Sequence, residues 1–212
     1  MTNSLRTPQV SAVLDRLFAA ADEDAARPPR PNPGDAQGRA DAMQDIYMPV
    51  SVAGGKLLYA LTRAARPGTV VEFGTSYGIS TIHLAAAVAD NGIGHVYGSE
   101  MSATKLDAAR LNIKEAGLGA HATILAGDAR ETFEAIEGPI GFVLLDGWKE
   151  LTGDVLRLLE PKLAPGALVV ADDITFPTMA DHLAYVRDPA NGYVSMEFPV
   201  EDGMEISCYT GA

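Results

Sequence analysis

Val70-Val71-Glu72-Phe73-Gly74-Thr75-Ser76-Tyr77-Gly78-Ile79-Ser80-Thr81 decides how the chain is read. An apolar run opens it, as a buried parallel strand requires. Gly74 and Gly78 then let the backbone turn tightly and approach a ligand that a Cβ would obstruct. A helical pattern follows, with Ile79, Ile82, Ala86 and Ala89 on one face. The first turn of that helix offers unpaired N–H groups suited to a carboxylate or phosphate. The spacing is E-x-G-x-x-x-G, not the dinucleotide G-x-G-x-x-G.

Outward from this turn, strands are expected at 69–73, 95–99, 122–126, 140–145 and 167–171. Helices follow near 79–90, 103–116, 129–136, 151–163 and 178–187. The expected fold is therefore α/β: a Rossmann-like, doubly wound, mostly parallel sheet with helices on both faces. Two final strand-like runs, Tyr193 to Phe198 and Met204 to Thr210, flank Glu201-Asp202-Gly203, an Asp-Gly turn signal. They predict an antiparallel hairpin closing the sheet.

Upstream, Thr7-Pro8 reads as a cap and first helical position. Val10, Val13, Leu14, Leu17, Phe18 and Ala21 then form an apolar stripe, to be buried on the main body or on a second subunit. Asp22-Glu23-Asp24 ends this helix. Arg27-Pro28-Pro29-Arg30-Pro31-Asn32-Pro33-Gly34 is a proline-rich connector and a candidate PxxP ligand. Asp35 to Tyr47 reads as helical. Ser51 caps a further helix with Leu57, Leu58, Leu61 and Ala65 inward, ended by Pro67-Gly68. Two regions are expected: a helical extension over 1–45 and the main domain over 46–212.

The 212 residues carry 16 Lys+Arg against 28 Asp+Glu, a net charge of −12. That disfavours nucleic acid and anionic membranes as partners. The single cysteine, Cys208, excludes an internal disulfide and a cysteine metal cluster, and its strand position predicts a buried, inert thiol. No apolar run reaches the roughly 18–20 residues of a membrane span, and no leader pattern opens the chain, so a cytoplasmic location is expected.

In a doubly wound sheet, ligands sit beyond the carboxyl ends of the strands. Those ends carry Glu72, Gly74, Glu100, Gly127-Asp128, Asp146-Gly147-Trp148-Lys149 and Asp172-Asp173. Glu100, closing the second strand, is placed to accept both hydroxyls of a ribose; the alternative is a solvated helix-start acid. Asp128 could meet an adenine amino group or cap the next helix. The glycine turn has no Lys or Arg, which favours a nucleoside without phosphates.

Asp146, Asp172 and Asp173 offer the hard oxygen ligands that suit Mg²⁺ or another divalent cation; without one they would repel. Lys149 is a candidate base with a depressed pKa, or a salt-bridge partner of an aspartate. Trp148, the only tryptophan, is core packing or an aromatic wall beside a cofactor base.

Glu72-Phe73-Gly74-Thr75-Ser76-Tyr77-Gly78, Gly98-Ser99-Glu100, Gly127-Asp128-Ala129, Leu145-Asp146-Gly147-Trp148-Lys149 and Ala171-Asp172-Asp173 resemble, in order, the motifs of class I S-adenosylmethionine-dependent O-methyltransferases. The likeness is to the catechol and caffeoyl-CoA types and runs from about Met48 to Gly211. It implies a divalent-metal-dependent transfer of methyl from S-adenosylmethionine to a small phenol. Gly74, Ser76 and Ser80 would hold the methionine portion, with Glu72 and Asp146 counted in the same cofactor site. Glu100 would take the ribose and Met101 would flank the adenine. Gly127, Asp128, Ala129 and Trp148 would line the adenine site, and Met48 and Val50 would pack near the sulfonium. Asp146, Asp172 and Asp173 would bind Mg²⁺, and Lys149, supported by Asp146, would be the catalytic base.

The chain departs from that pattern in places. Asp173 stands where the family commonly has asparagine. Gly147 replaces a larger residue of the animal catechol enzyme, which would open the site. No carboxylate aligns for a second hydroxyl, Glu197 being the nearest candidate. The expected partners are a small phenolic substrate and a second copy of the chain, with the first helix as dimer contact or pocket cover. The competing readings are a metal-independent methyltransferase with structural acids, a nicotinamide oxidoreductase, and a non-catalytic cofactor-binding module.

Overall fold

The computed structural model describes residues 3–25 and 34–211. Stretch 27–33 of the proline-rich connector, with its PxxP reading, lies outside the described residues. The elements are α1 (Pro8–Ala25), α2 (Ala36–Ala42), α3 (Val52–Ala65), β1 (Thr69–Phe73), α4 (Ile79–Asn91), β2 (His95–Glu100), α5 (Ala103–Glu115), β3 (Ala122–Ala126), α6 (Ala129–Thr132), β4 (Ile140–Leu145), α7 (Thr152–Leu159), β5 (Leu163–Asp172), α8 (Ala180–Arg187), β6 (Tyr193–Phe198) and β7 (Met204–Tyr209).

The sheet order is β3-β2-β1-β4-β5-β7-β6. β1 to β5 pair in parallel, and β7 pairs antiparallel with both β5 and β6. The chain winds outward from β1 to β3, then returns to place β4 on the other side of β1. The carboxyl ends of β1 and β4 therefore abut, which is where such a sheet opens a crevice. Asp146 N–H donates to the Phe73 carbonyl across this junction at 2.9 Å.

Strand alternation builds two cores. Val70, Phe142 and Leu144 face one layer, with Leu58 of α3, Ile82 and Leu84 of α4 and Leu106 of α5. Val71, Phe73, Val143 and Leu145 face the other, with Val155, Leu156 and Leu159 of α7 and Val186 of α8. The stripe of α1 joins the first core through Val10, Val13, Leu14 and Leu17, so it is covered by its own chain.

Caps fall where expected. Thr7 Oγ1 accepts from Val10 N–H, and Ser51 Oγ accepts from Ala53 and Gly54 N–H. Three expectations are corrected. The helix read over Asp35 to Tyr47 is helical only over Ala36–Ala42. α4 is buried nearly all round, because its alanines let neighbours approach from several sides. Cys208 is half-buried on β7 rather than buried. The closing hairpin is as expected, with Phe198 paired to Met204 and the loop spanning 199–203. Ile174 and Thr175 N–H, just past β5, donate to the Gly203 and Asp202 carbonyls at 3.2 Å, so this loop is tied to the strand ends.

Candidate active site

A cavity of about 330 Å³ lies over the carboxyl ends of the strands. Its walls include Met48, Gly74, Ser76, Glu100, Asp146, Trp148, Lys149, Asp172 and Asp173. The turn after β1 is shaped by positive φ at Gly74 (96°), Ser76 (48°) and Gly78 (88°). At Gly74 a Cβ would lie 2.5 Å from the Asp146 carbonyl oxygen, so the two strand ends meet only because this residue has none. Among the described non-glycine residues, positive φ occurs at Arg66, Ser76, Asp173 and Glu201, and the last three line the cavity. Such strain persists only where surrounding structure holds it, commonly at ligand sites.

Glu100 is fixed before any ligand arrives. Its Oε2 accepts Ser76 N–H and its Oε1 accepts Ser102 N–H, both at 2.8 Å. Each carboxylate oxygen keeps a lone pair for a ligand hydroxyl. Ser76 Oγ is buried without a hydrogen-bond partner, a vacancy that a polar cofactor group would fill. These two features fit a nucleoside-bearing cofactor with a polar tail.

Glu72 lines neither this cavity nor the narrow cleft beside it. It lies fully buried under the turn, accepting from the Thr75 hydroxyl at 3.0 Å and from Thr81 Oγ1. Burial pushes its carboxyl up to about 7. Val50 and Ser80 line the cleft, which shares Met48, Gly74, Ser76 and Asp146 with the main cavity. Met101, Gly127, Asp128 and Ala129 are absent from the lining of both. Asp128 instead caps α6 through Arg130 N–H at 2.8 Å and chelates the Arg130 side chain, which holds its carboxyl low. The capping alternative is thus the contact present.

Asp146, Asp172 and Asp173 converge: one oxygen from each lies within 4.8 Å of the others. Asp172 Oδ1 is buried without a partner. Burial, then the charges of Asp146 and Asp173, push the Asp172 carboxyl up to about 8. An orphaned carboxylate oxygen facing two more carboxylates fits a hard divalent cation.

Lys149 Nζ stands between Asp146 (2.9 Å) and Asp173 (3.0 Å). Burial works to lower its pKa, but the two carboxylates outweigh that and hold the ammonium above its usual range. The expected depression is therefore not present in the protein alone.

Trp148 packs against the second core and also walls the cavity, so both readings of it hold. Arg39 of α2 lies 5.1 Å over its ring and pairs with Glu150, which docks the N-terminal segment beside the site. Gly147 does not simply open space: a Cβ there would meet the Phe73 ring at 2.3 Å.

A family model described as a methyltransferase domain matches residues 71–174. The chain is 29% identical over 168 residues to a catechol O-methyltransferase of Mycobacterium tuberculosis, covering 79% of this chain and 72% of that one. It is 28% identical over 199 residues to the catechol O-methyltransferase of Mus musculus, covering 84% and 74%. The chain belongs to the class I S-adenosylmethionine-dependent O-methyltransferases. Two solved structures share the methyltransferase's fold. Cofactor-bound Rv0187 from MTB has a TM-score of 0.75 at 23% identity, covering 95% of this chain and 91% of that one. An O-methyltransferase from Bacillus cereus in complex with SAH has 0.68 at 19%, covering 93% and 90%.

Five further residues of the methyltransferase's cavity escaped the sequence reading: Pro49, Lys105, Phe176, Glu201 and Asp202. Lys105 lies on α5 with Nζ 5.7 Å from the Tyr77 ring centroid. Its position five residues after Glu100 was the available signal. Glu201 and Asp202 were visible only as turn residues. Glu197, the candidate for a second hydroxyl, is absent from the cavity lining, and its Oε2 lies 3.4 Å from Arg187.

Proposed function

We propose that this methyltransferase acts on a hydroxyl of a small phenol with two adjacent oxygens, with a divalent cation held by Asp146, Asp172 and Asp173. The observation that carries the reading is the orphaned, buried Asp172 Oδ1 facing two further carboxylates in the same cavity as the glycine turn. S-adenosylmethionine supplies an electrophilic methyl, and a divalent cation supplies positive charge that acidifies a neighbouring hydroxyl.

The residues divide the remaining work. The Gly74 turn, Ser76 and Glu100 orient the cofactor, while Met48, Val50, Ser80, Met101, Gly127, Asp128 and Ala129 belong to its proposed surroundings. Trp148 and Phe176 exclude water, which strengthens every charge interaction inside. Lys149 accepts the phenol proton at Nζ. Asp146 and Asp173 hold that nitrogen protonated in the protein alone; once their charge is compensated, burial favours the neutral amine.

The Lys149 bridge also supports a second reading. Asp146 and Asp173 have a cationic partner without any metal, so the acids could be structural in a metal-independent enzyme. A methyl-transfer screen over catechols, hydroxycinnamates and flavonoids separates the two. Loss of activity in EDTA with rescue by Mg²⁺ is expected; full activity in excess chelator would select the second reading.

A homodimer and a cytoplasmic location complete the proposal. The α1 stripe is already covered, so a dimer would use another face. No described helix is long and apolar enough to cross a membrane.

A further inference from the structure

Lys105 stands in the cavity wall without a partner in the fold's own bonding. It lies on α5 and is only 3% exposed. Among the described residues its Nζ forms no hydrogen bond and no ion pair; it faces the Tyr77 ring at 5.7 Å from the centroid. That ring is itself fixed, stacked on Tyr47 with centroids 3.9 Å apart and its hydroxyl donating to the Gln44 carbonyl at 2.8 Å.

The position is costly. Ser102 Oγ caps α5 by accepting from Lys105 N–H at 3.4 Å, so the lysine belongs to the first turn, where the helix end already carries partial positive charge. Burying an ammonium without a partner adds a second cost. Burial lowers the Lys105 pKa, with Glu100, Asp24 and Asp45 acting against it. A methionine would fill much the same space without either cost.

Glu100 lines the same end of the cavity. Its Oε1 and Oε2 accept Ser102 and Ser76 N–H, each at 2.8 Å, and neither is bonded to Lys105. A carboxylate and an ammonium thus share one wall without touching. A group that bridges them must donate to the first and accept from the second. A hydroxyl does both; a carbonyl or a fully ionised phosphate does not.

We infer that Lys105 is a second ribose-binding residue of the S-adenosylmethionine site, its Nζ donating to a ribose hydroxyl that in turn donates to Glu100. The hydroxyl is then held at its proton and at its lone pairs. Binding gives the buried ammonium the partner it lacks, so the gain falls in the complex rather than in the fold. The inference concerns the cofactor end and is independent of the acceptor and of any metal.

The test is calorimetric titration of the full chain, without acceptor, with S-adenosylhomocysteine and with its 2′-deoxy and 3′-deoxy ribose analogues. Lys105→Met should weaken S-adenosylhomocysteine by about 10-fold or more, the usual worth of a hydrogen bond to a charged group. For one analogue, deleting the hydroxyl should cost the parent about 5-fold more than it costs the variant; for the other, the two costs should match. Lys105→Gln keeps a shorter donor and should fall between parent and methionine variant; it carries the test if the methionine variant does not fold. Unchanged affinity for S-adenosylhomocysteine overturns the inference. So does an equal loss for all three ligands, which would make Lys105 a packing residue.

Discussion

The Lys149 ammonium lies 2.9 Å from Asp146 Oδ1, three residues back along the chain. The pair is local in sequence, yet its meaning depends on Asp173, which reaches the same nitrogen from just past β5. If Lys149 is the base, Lys149→Met lowers kcat by about 10²- to 10⁴-fold, the usual worth of a positioned base. Cofactor affinity, measured by calorimetry, should change little. Lys149→Arg should restore the ion pairs but not the rate, because a guanidinium does not take up a proton near neutrality. Rescue by arginine would reduce the lysine to a structural bridge.

Cation binding should displace a proton. With its carboxyl pushed up to about 8, Asp172 is largely protonated at pH 7 in the protein alone. Titration of Mg²⁺ in two buffers of different ionisation enthalpy should show release of about one proton at pH 7 and little at pH 9. Affinity should rise between pH 6 and pH 8. Asp172→Asn should abolish the release and weaken binding by at least about 10-fold. Absence of binding heat at millimolar Mg²⁺ would remove the cation from the mechanism.

Glu72 makes the fold itself pH-dependent. Its carboxyl is raised from 4.5 to about 7 by burial, so the folded state holds the proton more tightly than the unfolded chain. Stability therefore falls as pH rises from about 4.5 to about 7 and stays reduced above that. The change is on the order of 3 kcal/mol. Glu72→Gln keeps an acceptor for the Thr75 and Thr81 hydroxyls while removing the charge. Its melting temperature should match the parent near pH 4.5 and exceed it at pH 8. Parallel melting curves for the two proteins across that range would contradict the assignment.

Gly147→Ala tests why the residue after Asp146 has no side chain. A Cβ would overlap the buried Phe73 ring, so the variant should lose about 1–3 kcal/mol of stability by overpacking. Phe73→Leu in the same background should return part of it. Unchanged thermal stability of Gly147→Ala, combined with a changed acceptor range, would show instead that Gly147 opens the pocket.

Much of this was legible in the chain because it is local. Strand alternation at Val70/Val71 and Val143/Leu144, the capping hydroxyls of Thr7 and Ser51, and the acids at the strand ends all follow from short-range rules. The misreadings share one cause. Asp128 read as an adenine partner or, more strongly, as a cap, and only Arg130 beside it shows which contact forms. Lys149 was expected to be depressed because a cation was assumed first, whereas the carboxylates around it act the other way. Glu201 and Asp202 read as a turn, because their placement depends on hydrogen bonds from Ile174 and Thr175 to this loop and from Ser51 to Glu201, all far upstream in the chain.

By itself the sequence determined which segments are strands, that they wind as a parallel sheet closed by a hairpin, and that acids and glycines crowd the ends of the strands. Those properties arise from side-chain periodicity and backbone freedom, which each segment carries wherever it lies. Only the tertiary structure decided that β1 and β4 abut, that three aspartates and one lysine share a few ångströms, and that a distant hairpin loop supplies the cavity's outer charge. Burial and charge coupling depend on what lies across space, and strand order, not chain order, sets those neighbours.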